Sequence, residues 1–198
     1  GRKKKGDKEE DDIKKTAYHE AGHAIVAKFT EGSDPVEQIS IISRGATGGV
    51  TVYLPEKERK FLYKKQMLAW LRTGVGGRAD EEIFLDDISS GASNDILQVT
   101  ETAKKMVMDY GMSEKLGLIK YGDLEETRHL GYIYGGGREY SEDVAKLIDQ
   151  EVRELVDSAY KDAKEILRNK KEYVEKLVKK LLEQEVVSGQ EFEEMFKE

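Results

Sequence analysis

His19, Glu20 and His23 stand in the order His-Glu-x-x-His. On a helix that advances about 100° per residue, the two histidines lie roughly 40° apart, one turn above the other, so both imidazoles reach a single ion. Glu20 lies about 100° round from His19, near enough to take a proton from water without being a ligand itself. Two neutral imidazoles and one carboxylate base are the parts needed for zinc-dependent hydrolysis of a peptide bond. A lone helical histidine is more often structural. With only 3 His in the chain, however, two at this spacing around a glutamate argue for chemistry.

A catalytic zinc takes three protein ligands and keeps a fourth position for water. His23 is followed by Ala24-Ile25-Val26-Ala27-Lys28-Phe29, which closes the route to a third histidine at a fixed offset along the same motif. With 0 Cys in the chain, the remaining donors are His or carboxylate. His129, Glu81 or Glu82, and Asp95 are the candidates, and spacing does not choose among them.

The elements that must position these groups follow from periodicity. The motif helix is expected over about Ile13 to Phe29, with Ala17, Ala21, Ala24 and Ile25 on its packed side and Gly22 marking a close backbone neighbour. Ile39 and Ile41, then Val50, Val52 and Leu54, alternate as two strands joined by the Gly-rich loop from Arg44 to Gly49. Helices are expected over Glu56 to Arg72 and Arg78 to Phe84, and then up to Tyr110, where Gly111 ends the run and Ser90 or Ser93 caps its start. Asp95 then falls in that helix's first turn. A long amphipathic helix follows from Ser141, and two more helical pieces span Glu172 to Glu185 and Gln190 to Phe196, separated by Val187-Ser188-Gly189.

The fold class expected is therefore mainly α with a small β-sheet (α+β). Its 198 residues form one unit, with a frayed terminus over 1–12, the metal-site part over 13–120, a Gly-rich loop over 121–140 and a helical part over 141–198. A net charge of -7 argues against nucleic acid as a partner. No apolar run approaches the roughly 18 residues of a membrane span, so the piece is expected to be soluble.

Several ordered segments carry a family resemblance: Ala17-Tyr18-His19-Glu20-Ala21-Gly22-His23-Ala24, Gly76-Gly77-Arg78-Ala79 with Glu81-Glu82-Ile83, Ser90-Gly91-Ala92-Ser93-Asn94-Asp95, and Tyr110-Gly111-Met112-Ser113. Over nearly its whole length the chain resembles the FtsH-type membrane-anchored, ATP-dependent zinc metalloproteases. The resemblance implies that Asp95 joins His19 and His23 around one Zn²⁺ per protomer, that Glu20 is the base, and that Glu82 supports the site from behind. It also implies that the strand Gly49, Val50, Thr51 and Val52 lies beside an extended substrate.

At the level of the whole protein, the resemblance implies a homo-hexamer below an ATPase ring, acting on unfolded or membrane-extracted polypeptides. The full-length chain would be membrane-anchored, with this domain facing the cytoplasm or the equivalent interior of an organelle. No Gly-x-x-x-x-Gly-Lys phosphate loop is present, so the ATPase and anchor are expected outside this fragment. Ser43 and Gly48 depart from the family's usual Pro and Leu. The competing class is a non-catalytic helical interaction module holding a structural metal. An intact Glu20 and the lack of cysteines to close a four-ligand site argue against it.

Overall fold

The computed structural model describes residues 5–42, 48–55, 59–122 and 139–197, with side chains from residue 9 onward. Helix α1 spans Lys5–Lys28 and is the hub, packing against both the helices and the sheet. Ala17, Ala21, Ala24 and Ile25 are fully buried, as the apolar stripe predicts. The helix starts eight residues before the expected Ile13. Within its first turns Lys15 pairs with Asp11, one turn earlier, at 3.0 Å.

Strands β1 (Val36–Ser40) and β2 (Val50–Tyr53) pair antiparallel, with Ile39 opposite Thr51 and Ser40 opposite Val50. Ile41 and Leu54, expected inside strands, lie just beyond them. A third strand, β3 (Val186–Ser188), pairs with the other side of β1 to give the order β2-β1-β3. The Val187-Ser188-Gly189 break between helices is thus a sheet edge followed by a helix cap. Three residues are too few to show a strand's alternation.

Helix α2 covers Lys64–Gly74, not Glu56 to Arg72. Before it Arg59 pairs with Asp34, and Phe61 and Leu62 lie exposed instead of on the helix's buried face. Helix α3 spans Gly76–Phe84, and a short 3₁₀ turn at Ser90–Ala92 leads into α4, Ser93–Met108. Neither Ser90 nor Ser93 is the cap. The residue before α4 is Ala92, which offers no side-chain bond; Ser89 instead caps the 3₁₀ turn, its hydroxyl accepting from the Gly91 amide at 3.1 Å. Gly111, with φ of 60°, turns the chain away beyond α4.

The long helix appears as α5, Glu142–Asn169, capped by Ser141, whose hydroxyl accepts from the Val144 amide. Helices α6 (Lys171–Gln184) and α7 (Gly189–Glu194) complete the described chain. Ala159, Ala163 and Leu167 of α5 and Val174, Leu177 and Leu181 of α6 close the core over α1. The fold is mainly helical with one small sheet. His129 and Gly135 to Gly137 of the expected Gly-rich loop lie outside the described residues.

Candidate metal centre

Helix α1 presents His19 and His23 on the side facing α3, where the two helices touch backbone to backbone. A Cβ on Gly22 would collide with the Gly76 carbonyl oxygen, and one on Gly77 would come within 2.5 Å of the His19 ring. The glycines that interrupt the α2–α3 junction therefore give the two imidazoles room.

Asp95, in the first turn of α4, approaches from the other side. Its Oδ2 lies 3.0 Å from His19 Nε2 and 3.2 Å from His23 Nε2, and the two Nε2 atoms are 3.1 Å apart. Three electron-rich atoms so close repel one another unless a cation or protons sit among them. Ligands about 2.0–2.1 Å from a tetrahedral zinc stand roughly 3.3 Å apart, so the triangle fits that ion. Among the described residues, His19, His23 and Asp95 form the one His/Asp/Glu cluster with this geometry.

The atoms behind the triangle set its tautomers. His23 Nδ1 donates to the Thr73 carbonyl at 2.7 Å, which leaves Nε2 with its lone pair toward the triangle. His19 Nδ1 faces Glu81 Oε1 at 3.6 Å, a charge contact longer than a hydrogen bond, while Ser89 donates to the same Glu81 oxygen at 2.5 Å. Thr73 offers its carbonyl at the end of α2, where helical carbonyls lack partners, and that junction was the only signal for it in the sequence.

The resting electrostatics are those of a site built for positive charge. Burial lowers the basicity of His19, but its hydrogen bond to Asp95, the facing Glu81 carboxylate and the charge of Glu20 outweigh this, and its pKa is pushed up to about 10. His23 is raised by Asp95 and Glu20 against the same burial. Asp95 is held well below the usual carboxylate range: burial acts upward, and the two histidines more than offset it.

Glu82 does not stand behind the triangle. It points to α5, accepting from the Tyr160 hydroxyl at 2.5 Å and facing Lys164 Nζ at 3.4 Å. Neighbouring helical residues diverge by about 100°, and α3 turns Glu81, not Glu82, toward His19.

Glu20 is buried beside the triangle, and its Oε2 accepts from the Thr51 hydroxyl at 2.7 Å. Along β2, Thr51 and Tyr53 face inward while Val50 and Val52 are the more exposed pair. Gly49 precedes the strand, packed near Ser40, Thr16 and Glu20. A cleft of about 840 Å³ opens over His19, Glu20, His23 and Asp95, with Gly49 to Thr51 and Tyr53 along one wall. Thr51 therefore touches Glu20 directly, a contact that strand alternation alone does not reveal.

Three convergent donors and a buried carboxylate in an open cleft define a metal-dependent peptidase. The chain belongs to peptidase family M41, whose sequence profile matches residues 7–195. It is 43% identical over 187 residues to the ATP-dependent zinc metalloprotease FtsH 1 of Thermoanaerobacter sp. (strain X514), covering 94% of this chain and 31% of that protein. It is 46% identical over 183 residues to FtsH 1 of Sphaerobacter thermophilus, covering 92% of this chain and 28% of the relative. Against FtsH 2 of Methylacidiphilum infernorum the identity is 45% over 188 residues, with coverages of 95% and 29%. The chain spans about 30% of the length of these curated relatives.

Proposed function

We propose that the chain is the zinc-dependent endopeptidase domain of an ATP-driven protease that degrades unfolded or membrane-extracted polypeptides. The observation that carries this reading is the triangle of His19, His23 and Asp95, with donor atoms 3.0–3.2 Å apart, beside the carboxylate of Glu20. Zinc, when bound there, would acidify water and polarise the scissile carbonyl.

His19, His23 and Asp95 would hold one ion per protomer, with the Thr73 carbonyl orienting the His23 ring from behind and the Glu81 carboxylate facing His19 Nδ1. Glu20 takes the proton from the attacking water and returns it to the leaving amine. Thr51 occupies Glu20 Oε2, leaving Oε1 as the working oxygen. Three protein donors and no fourth among the described residues favour a catalytic over a structural ion, which counts against the non-catalytic module.

β2 is the edge of the sheet order β2-β1-β3, and an extended polypeptide adding to that edge would be bound through backbone hydrogen bonds. Gly49, Val50, Thr51 and Val52 would then read little side-chain identity, and broad specificity follows. No described helix is long and apolar enough to cross a membrane. In the full-length protein we place an ATPase domain, a membrane anchor with this domain on the cytoplasmic side or its organelle equivalent, and a homo-hexameric ring. The relatives' names support the ATPase.

Zinc analysis of the purified chain, paired with hydrolysis of an unfolded protein substrate, tests the reading. About one zinc per chain is expected, with Glu20→Gln keeping the metal and losing hydrolysis. A Gln variant that cleaves at the parent rate removes Glu20 as the base.

A further inference from the structure

Tyr53 is the one inward-facing side chain of β2 whose polar end the chemistry above does not use. It leaves the strand on the same face as Thr51, two residues on, and Thr51 reaches Glu20. It lines the cleft together with His19, Glu20, His23 and Asp95.

Its hydroxyl is shielded from solvent and has no hydrogen-bond partner. Other tyrosines of the chain tie theirs down: Tyr18 donates to Glu175, Tyr121 to the Leu116 carbonyl and Tyr160 to Glu82. A buried hydroxyl without a partner destabilises a fold by roughly 1–3 kcal/mol, and this one belongs to a residue that lines the cleft, so a partner brought by bound substrate would offset the cost. Burial, with the charges of Glu20 and Asp95 added to it, pushes the phenol's pKa up, so the group stays protonated. It is a donor in a cleft that it shares with the carboxylates of Glu20 and Asp95.

Resting on the peptidase reading, we infer that Tyr53 is a catalytic residue, its hydroxyl donating a hydrogen bond to the oxygen of the scissile carbonyl as that oxygen gains negative charge. The bond is stronger in the transition state than with the neutral carbonyl, so it lowers the barrier instead of tightening substrate binding. No proton is transferred from the phenol. In the absence of substrate such bonds are often unmade and form in the reacting complex.

The test compares the zinc-loaded chain with Tyr53→Phe by four readouts. A phosphonamidate peptide, whose tetrahedral P–O⁻ mimics the charged oxygen, should bind on the order of 100-fold more weakly to the variant. A hydroxamate peptide, which grips the metal without a tetrahedral centre, and zinc itself should bind within about threefold of the parent. The melting temperature should not fall, because an unpartnered buried hydroxyl has been removed, and kcat should drop with KM nearly constant. Equal phosphonamidate affinity in parent and variant, or an equal loss for both inhibitors, overturns the inference while leaving the peptidase reading intact. A zinc-loaded parent that binds neither inhibitor and cleaves no peptide overturns the reading and the inference with it.

Discussion

The Thr51 hydroxyl donates to Glu20 Oε2 at 2.7 Å, joining the edge strand to the helix that carries both histidines of the triangle. The strand proposed to hold substrate therefore also fixes the rotamer of the proposed base. Thr51→Val keeps the β-branched shape and removes the donor, and kcat should fall by about 10-fold with the melting point nearly unchanged. Thr51→Ser should retain most of the activity. Equal kcat for the Val variant and the parent would show that Glu20 needs no such anchor.

The metal set makes a graded prediction for zinc affinity, measured by competition with a chromophoric chelator. Asp95→Asn loses an anionic ligand and should weaken zinc by 100-fold or more, on the order expected when a first ligand goes. Glu81→Gln, acting through His19 Nδ1, should cost about 10-fold. Glu82→Gln should leave zinc affinity unchanged, because its carboxylate is engaged by Tyr160 and Lys164 of α5. Equal losses from Asp95→Asn and Glu82→Gln would contradict the placement of both.

How much of this was legible beforehand differs residue by residue. His19, Glu20 and His23 were readable because helical period turns spacing into placement. Asp95 is 72 residues from His23, and no local pattern connects them. Glu81 and Glu82 are equivalent by composition. Choosing between them requires the face that α3 presents, which is set by the contact of Gly22 with Gly76. The Thr73 carbonyl is a backbone group without a side-chain signature, and Tyr53 reads in the sequence only as another strand residue. The mainly α architecture followed from long periodic runs, whereas the three-residue β3 carries too little pattern to declare itself.

Stripped of metal, the chain should show a particular pH dependence. His19 is held at about 10 in the folded chain, against about 6.5 when unfolded. A group raised on folding adds stability that is complete below about pH 6.5 and is lost as pH rises through about 10. Urea midpoints of the chelator-treated protein should therefore fall across that window, and His19→Gln should flatten the slope. Zinc binding should release protons near neutral pH, since the metal replaces them among the three donors, and titrations in buffers of different ionisation enthalpy count them. A zinc-free midpoint that stays flat from pH 6.5 to 10 would rule out protonated histidine as the resting charge of the site.

Gly22 and Gly76 let α1 and α3 approach backbone to backbone. Gly22→Ala drives a Cβ into the Gly76 carbonyl and to 2.6 Å from the Asp80 Cβ, contacts that only a shift of the helices relieves. A loss of about 2–4 kcal/mol is expected from overpacking at this contact, read from denaturant unfolding. Zinc affinity should fall with it, because α1 carries both histidines. A variant of parental stability would show that the helix pair slides apart easily.

Asp80 is the clearest structural liability beside the site. It is fully buried on α3, and neither carboxylate oxygen has a hydrogen-bond partner. Burial raises its pKa well above the usual range; His19 acts downward, and Glu175 and Glu81 add to the rise. The folded chain thus keeps a proton that the unfolded chain gives up near pH 3.9, so Asp80 removes stability as pH rises above that value toward the folded pKa. Asp80→Ala deletes both unpartnered oxygens and places the best helix former in a helix interior. At pH 7 it should stabilise the chain by about 1–2 kcal/mol after the small void is counted. At pH 4 the gain should shrink, since the unfolded carboxyl is then about half protonated and keeping the proton in the folded chain costs little. Urea unfolding at the two pH values measures both effects. A variant less stable than the parent at pH 7 would mean that Asp80 supports the α1–α3 contact in a way that its unpartnered oxygens do not reveal.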